Sequence, residues 1–129
     1  MGDLTDFAAQ ICDSLGINTG HIAIVCDRDS VIAAFGAPKR ELLEKRCSPA
    51  LEQLMESRKS YRWSADEQML RVSDSVERYH LGVSAPILAE GDLMGCVALL
   101  LEASDQPLTE SELKLVQTVA GFLGRQMEN

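Results

Sequence analysis

The 129-residue sequence lacks the features that mark several large classes of protein. No apolar run approaches the roughly 18 residues that a membrane-spanning helix needs, and residues 1–6 carry no basic and apolar leader of a secretory signal. Its four cysteines form no C-x-x-C pair, and His21 and His80 lie at no metal-ligand spacing from them. With 46% hydrophobic and 25% charged residues, the composition is that of an ordinary globular chain. We expect a single cytoplasmic domain over residues 1–129, with no cofactor, metal or membrane contact.

The sequence also lacks an excess of basic over acidic residues. Twelve Lys and Arg face twenty Asp and Glu, so the net charge of −8 repels a phosphate backbone and the chain alone is a poor nucleic-acid binder. The basic residues are nevertheless clustered, because residues 38–62 hold seven of them against four acidic ones, a local charge of +3. Lys39, Arg40, Lys45 and Arg46 could attract an anionic effector, although a charge run is more often a solvated face.

The first segment predicts an amphipathic helix. Between Leu4 and Leu15 the apolar residues recur at the spacing of one helix face. Asp3 can cap the start of this helix, and Gly16 can end it in a left-handed conformation. The apolar face comprises Leu4, Phe7, Ala8, Ile11, Cys12 and Leu15.

The last segment predicts a longer helix that begins at a capping box formed by Thr109 and Glu112. It carries two apolar seams about 110° apart, whereas packing on a sheet needs a stripe of only about 100°. We therefore expect a second partner, either the first helix or a second copy of the chain. Gly121 and Gly124 indicate close backbone approach or tolerated flexibility. The first seam is Leu113, Val116, Ala120, Leu123 and Met127; the second is Leu115, Val119 and Phe122.

Between these helices, short β-branched runs predict two hairpins, 21–26 with 30–35 and 79–88 with 93–101. The run 96–101 is apolar at both parities, which is typical of a central strand covered on both faces. Residues 38–62 predict short helices broken at Ser48-Pro49, and residues 63–74 predict a loop with an irregular edge strand. We predict an α+β fold, an antiparallel sheet with the N- and C-terminal helices packed on one face and short helices and loops on the other.

This order of elements resembles a GAF domain, the small-molecule-sensing fold related to PAS, and residues 83–100 look like its signature hairpin. More narrowly, residues 24–29 and 119–128 resemble the C-terminal sensor domains of the stage V sporulation protein T family. That resemblance implies a sporulation transcription regulator that dimerises through its terminal helices and binds an unidentified small-molecule effector. In that family DNA contact belongs to an AbrB-type domain that precedes the GAF domain, and we expect this domain to be absent from the present chain.

Candidate site residues follow from these patterns. In the strand predicted over 79–88, bulky residues alternate with small or polar ones, so one face could floor a cavity, although a face turned to solvent gives the same alternation. Which parity faces the terminal helices is left open. The predicted pocket residues are Phe35, Leu43, Leu54, Tyr79, His80 and Ser84. The predicted dimer interface is Leu4, Phe7, Ile11, Val116, Ala120, Leu123 and Met127.

Catalytic motifs are missing from the sequence. It has no glycine loop before a helix, no serine nucleophile elbow and no H-E-x-x-H, so we expect a protein that is not an enzyme. The alternative is a cysteine-dependent enzyme of the free methionine sulfoxide reductase type, which also uses the GAF fold. Cys12, Cys26 and Cys96 fall on apolar core positions, which disfavours that alternative. Cys47 follows Lys45 and Arg46, a basic context that favours thiol reactivity.

Overall fold

The computed structural model describes residues 4–128, and its elements confirm the predicted α+β fold. Six strands form one antiparallel sheet in the order β2-β1-β6-β5-β3, with β4 paired to β5. The elements are α1 (Leu4–Thr19), β1 (Ile22–Asp27), β2 (Val31–Phe35), α2 (Lys39–Leu42), α3 (Pro49–Ser57), β3 (Tyr61–Arg62), β4 (Arg71–Ser73), β5 (Val76–Ala89), β6 (Asp92–Leu101) and α4 (Glu110–Met127).

Two apolar layers cover the sheet, as the sequence predicts. On one face α1 and α4 bury Cys12, Leu15, Val116 and Leu123 against alternate residues of the strands. We call this side the terminal-helix face. On the other face α2, α3 and the following loop bury a second cluster that contains Leu42, and we call it the mid-chain face. Strand β6 lies between β1 and β5 and contributes to both clusters, which explains its apolar residues at both parities.

The predicted end of the first helix at Gly16 is wrong. Helix α1 continues to Thr19, and Gly20 follows it with a positive φ of 73°, the conformation that a left-handed stop needs. Gly16 is instead buried against the ring of Phe35, where a Cβ atom would overlap that ring. The residue is small because the helix lies close to β2. The predicted cap at Asp3 lies outside the described residues.

The mid-chain helices form where the sequence predicts them. Helix α3 begins at Pro49, and the Ser48 hydroxyl accepts a hydrogen bond from the Leu51 amide at 3.1 Å. The same hydroxyl donates to the Arg71 carbonyl at 2.8 Å, which ties the start of α3 to β4. The predicted break at Ser48-Pro49 is therefore both a helix cap and a link to the sheet.

Strand β5 changes face partway along its length. Leu81 lies opposite Leu100 and Val83 opposite Leu99, so Gly82 is an extra residue on β5 and forms a β-bulge. Tyr79 and Leu81 consequently face the mid-chain side, whereas Val83, Ala85 and Ile87 face the terminal helices. The expectation that these five bulky residues share one face is wrong, because a bulge shifts the alternation by one residue.

The capping box predicted at the start of α4 is present. The Glu112 carboxylate accepts hydrogen bonds from the Thr109 backbone N–H at 2.5 Å and from the Thr109 hydroxyl at 2.6 Å. Its second oxygen lies 3.3 Å from His21 Nε2, so this side chain also links α4 to the segment between α1 and β1.

We expect Glu112→Gln to lower the free energy of unfolding by about 1 kcal/mol at neutral pH, because the capping interaction is weakened. The Thr109 hydroxyl and amide, and secondarily His21, hold the pKa of Glu112 below its usual range. A carboxyl with a depressed folded pKa stabilises above its unfolded value near 4.5, and this contribution is lost as the pH falls through the folded pKa.

Urea unfolding at several pH values measures this effect. The difference between wild type and Glu112→Gln should shrink below pH 4.5, and the neighbouring exposed variant Glu110→Gln should show a much smaller difference throughout. Equal losses in the two variants, or a difference that grows in acid, would contradict this role of Glu112.

Candidate functional site

The six predicted pocket residues do not converge on one cavity. Leu43, Leu54, Tyr79 and Ser84 lie on the mid-chain face, where Ser84 is paired with Ala98. Phe35 packs against the terminal-helix cluster. The interior between the sheet and the mid-chain helices is filled by fully buried side chains, which include Leu42, Leu51, Leu81 and Leu100.

His80 lies opposite Leu101, a residue of the terminal-helix cluster, and so belongs to the other face of the sheet. Its Nδ1 is buried and has no hydrogen-bond partner within residues 4–128. Burial, followed by the charge of Arg71, lowers the pKa of this imidazole. Burial therefore favours the neutral ring. His80 lies between β6 and β4, paired with Leu101 and Arg71, and does not share a pocket with Tyr79.

A surface cavity of about 350 Å³ opens on the mid-chain face beside Tyr79. The Tyr79 hydroxyl donates a hydrogen bond of 2.6 Å to Glu41 Oε1, and burial, followed by this bond, raises the pKa of the phenol. The Arg78 guanidinium lies over the Tyr79 ring, 5.2 Å from its centroid, and bonds Glu102 at 2.5 Å. We call this the Tyr79 cavity; Arg40, Glu41, Lys45, Ser75, Val76, Glu77, Arg78 and Tyr79 line it.

A second cavity of about 560 Å³ adjoins the first and shares Lys45 and Ser75 with it. Arg46 and Cys47 also line this cavity, which we call the Cys47 cavity. Three of the four predicted effector-attracting cations therefore line neighbouring cavities. The fourth, Lys39, donates to the Ala34 carbonyl at 2.8 Å.

A third cavity, about 750 Å³, lies at one end of the sheet between the β1–β2 and β5–β6 turns and the end of α3. Four carboxylates and two guanidiniums line it, a net charge of −2, and its apolar lining is limited to Leu93 and Met94. This excess of carboxylates repels an anion, so the cavity is a weaker candidate than the Tyr79 cavity for an anionic effector.

The residues predicted for a dimer interface divide into two groups. Leu4, Val116, Ala120 and Leu123 are buried within their own chain against the sheet, so the first seam of α4 already has its partner. Phe7, Ile11 and Met127 are half-buried at the margin of the same cluster. Sequence periodicity shows two apolar seams but does not say which one meets the sheet.

The second seam of α4 is the accessible one. Leu115 and Phe122 are 36% and 41% exposed, and Val119 is half-buried between them. Their spacing of four and then three residues places them on one line along the helix. Helices α1 and α4 make limited contact with each other, and α4 packs mainly on β5, so α1 does not cover this stripe. We call Leu115, Val119 and Phe122 the α4 stripe.

The cysteines are all free and buried, and three of them meet. Cys26 of β1 lies directly opposite Cys96 of β6, and its thiol contacts those of both Cys47 and Cys96. The spacing of the cysteines along the sequence does not reveal this cluster. A sequence-based prediction that paired β1 with β6 in the correct register would have placed Cys26 opposite Cys96. Cys12 lies on the opposite face, where its sulfur donates to the Ala23 carbonyl at 3.1 Å. Within residues 4–128, no group of His, Cys, Asp and Glu is arranged to hold a metal ion.

This architecture is that of a GAF domain, a fold shared by many regulatory proteins. The second GAF domain of DevS from Mycobacterium smegmatis matches 97% of this chain, over 93% of its own length, with a TM-score of 0.72 at 14% identity. The cofactor-binding GAF domain of the nutrient sensor CodY from Clostridium difficile matches 92% of this chain, over 82% of its own, with a TM-score of 0.64 at 12% identity. These identities are low, so the two structures establish the fold.

The sequence itself defines the family. The chain belongs to the stage V sporulation protein T C-terminal family of transcription factors, whose model matches residues 3–128. It is 38% identical over 128 residues to stage V sporulation protein T of Bacillus subtilis (strain 168), which covers 99% of this chain and 71% of that protein. The resemblance drawn from residues 24–29, 83–100 and 119–128 is confirmed, and the chain is a regulatory GAF domain. None of the helices within residues 4–128 has the length and hydropathy of a membrane-spanning segment.

Proposed function

We propose that this chain is the effector-sensing and dimerisation domain of a sporulation transcription regulator. An anionic small molecule binds at the Tyr79 cavity, two copies pair through the α4 stripe, and DNA is contacted through a fused N-terminal domain. The observation that carries this proposal is the course of β5, which lines the cavity at Tyr79 and supports α4 a few residues later.

The chemistry of the Tyr79 cavity favours an anion. Arg40, Lys45 and Arg78 bring three cations to its lining against the two carboxylates of Glu41 and Glu77. Guanidinium groups bind carboxylate or phosphate through charge-assisted, often bidentate, hydrogen bonds. The volume of about 350 Å³ lies near the lower end of the range of about 300–1,000 Å³ for small-molecule sites. A compact metabolite or a nucleotide fragment fits these limits.

The bulge at Gly82 gives a route from this cavity to the terminal helices. Upstream of it Tyr79 is held by Glu41, and downstream of it Val83, Ala85 and Ile87 pack under α4. An anionic effector that replaces Glu41 as acceptor of the Tyr79 hydroxyl would free the Glu41 carboxylate and favour a different seating of β5. The effector then acts by shifting the population of two packings of α4, and the shift is limited by its difference in affinity for them.

The α4 stripe is the output surface in this proposal. Two copies related by a two-fold axis would bury the same residues from each chain, and a line of apolar residues at four- and three-residue spacing suits helix pairing. A change in α4 seating would alter the angle between the two copies. That angle sets the orientation of whatever domain is fused to them.

We expect carboxylates and nucleotides to bind the chain and neutral ligands of similar size not to bind. Arg40→Ala with Lys45→Ala should weaken anion binding by on the order of a hundredfold or more, because each of the two charge-assisted hydrogen bonds that are lost contributes about 1.5–3 kcal/mol. Titration calorimetry with a panel of organic anions and neutral analogues measures this. Binding should weaken as salt is raised.

Arg125→Ala is the matched control, since Arg125 is an exposed cation on α4 away from the cavity. Equal losses in the control and the double variant would indicate nonspecific charge attraction and contradict the proposed site. Binding of neutral ligands without binding of anions would contradict the proposed effector class.

A further inference from the structure

The cysteines on the mid-chain face form a compact thiol cluster. Cys26 and Cys96 are direct cross-strand partners in β1 and β6, so their side chains emerge on the same face of the sheet. Cys47 arrives from the loop between α2 and α3, and its thiol contacts that of Cys26. We call these residues the thiol trio.

The backbone fixes Cys47 in this position. Its N–H donates to the Asp29 carbonyl at 2.9 Å, and the preceding Lys45 carbonyl accepts from the Val31 N–H at 3.0 Å. A further bridge pairs Ser30 with Arg46. The loop therefore runs beside the turn of the first hairpin, and these backbone bonds hold Cys47 against the sheet.

The members of the trio differ in access. Cys26 and Cys96 are 0% and 1% exposed, whereas Cys47 is 6% exposed and lines the Cys47 cavity of about 560 Å³. Contacts with the other two thiols, followed by burial, raise the pKa of Cys26 well above its usual range, so Cys26 is held as a thiol. A small reagent in the cavity would therefore meet Cys47 first and find Cys26 behind it.

We propose that the thiol trio is an oxidation site, in which Cys47 reacts with a small hydroperoxide and Cys26 resolves the product as a Cys26–Cys47 disulfide. In the first step the Cys47 sulfur attacks the peroxide, the O–O bond breaks, and hydrogen peroxide yields a sulfenic acid and water. In the second step the Cys26 sulfur displaces the sulfenic hydroxyl, which leaves as a second water molecule. Two electrons pass from the thiol pair to the peroxide.

The surroundings of Cys47 suit this reaction. Lys45 and Arg46 precede Cys47 in the chain and line the same cavity, together with the carboxylates of Glu44, Glu52 and Asp74. The two cations can stabilise the hydroxide that leaves the peroxide. The resolving thiol is already in contact, which favours the disulfide over further oxidation. The disulfide would fasten the loop before α3 to β1, next to the Tyr79 cavity that shares Lys45. The proposal does not depend on the identity of any effector.

Cys12 provides an internal control within the same chain. It is fully buried on the terminal-helix face, and burial, followed by the charge of Asp13, raises the pKa of its thiol to about 12. We expect Cys12 to react with peroxide on the order of tenfold or more slowly than Cys47, because reactivity follows exposure and thiolate content.

The test treats the folded 129-residue chain with hydrogen peroxide, blocks remaining thiols, and maps the products by mass spectrometry after digestion without reductant. The expected product has lost two hydrogens and links Cys26 to Cys47, and dithiothreitol restores the starting mass. A sulfenic-acid probe such as dimedone should label Cys47 early in the reaction.

Variants assign the roles. Cys26→Ala should cause the dimedone adduct at Cys47 to accumulate, whereas Cys96→Ala and Cys12→Ala should leave the Cys26–Cys47 link intact. If Cys26→Ala does not fold, the mass-spectrometric map of the oxidised wild-type chain tests the proposal by itself. Oxidation of Cys12 as fast as Cys47, or conversion of Cys47 to sulfinic acid without a disulfide in the wild-type chain, would overturn the proposal.

Discussion

Gly124→Ala should lower the free energy of unfolding by about 3 kcal/mol or more, whereas Gly121→Ala should raise it by about 1 kcal/mol. Both glycines lie within α4, where alanine has the better helix propensity. A Cβ atom at position 124 would overlap the carbonyl oxygen of Leu88 in β5, which is backbone and cannot move aside. At position 121 the nearest atom is an Arg125 side-chain nitrogen at 3.7 Å.

This pair separates helix propensity from packing, because the chemical change is the same in both variants. Urea unfolding at 25 °C, followed by circular dichroism, gives both free energies. Similar stabilisation by the two substitutions would mean that α4 does not lie close to β5 at Leu88, and the proposed coupling of β5 to α4 would lose its contact. Destabilisation at position 121 would instead indicate that its surface is covered.

The double variant Leu115→Glu with Phe122→Glu should raise the dissociation constant of the dimer by on the order of a thousandfold and leave the fold intact. Complete burial of a large apolar side chain contributes about 1.5–3 kcal/mol, but Leu115 and Phe122 are only 36% and 41% exposed in the single chain. An isologous interface loses every contact twice, so the two substitutions together remove about 4 kcal/mol of binding free energy. Each introduced glutamate would also lie close to the same glutamate of the partner copy, and the two negative charges would repel each other. Because both positions are exposed in the single chain, we expect the free energy of unfolding of the monomer to change by less than about 1 kcal/mol.

Sedimentation velocity at several concentrations measures this dissociation. The control is Lys114→Glu, which makes the same total change in charge about 100° around the helix from the α4 stripe. A wild-type chain that is monomeric at high micromolar concentration, or a control that dissociates as readily as the double variant, would contradict pairing through this surface. Leu123→Glu should unfold the chain instead, since Leu123 is fully buried.

Much of the fold is predictable because it is encoded locally. The capping box at Thr109 and the break at Ser48-Pro49 each depend on neighbouring residues, and both lie where the sequence predicts them. The two-sided covering of β6 is likewise evident in its uninterrupted apolar run. The helix end predicted at Gly16 was wrong because, in a sequence, a glycine required for close packing against Phe35 looks the same as a glycine that ends a helix.

The candidate site was less predictable because its parts meet only through tertiary packing. The bulge at Gly82 has no local signature that fixes its register, so the predicted pocket mixed residues from both faces of the sheet. The thiol trio depends on the pairing of β1 with β6 and on the position of a loop 20 or more residues away in sequence. The two seams of α4 were recognised, but which one remained exposed depended on how the helix is seated on β5.

The bulge also constrains how relatives of this chain can vary. A Cβ atom on residue 82 would come within 2.7 Å of the Leu108 side chain and 3.0 Å of Leu101. A larger residue at position 82 therefore requires a smaller one at position 108, in the connection that leads into α4. Sequences that diverge at one of these positions should show a compensating change at the other, so that the two co-vary across the family although they are 26 positions apart along the chain.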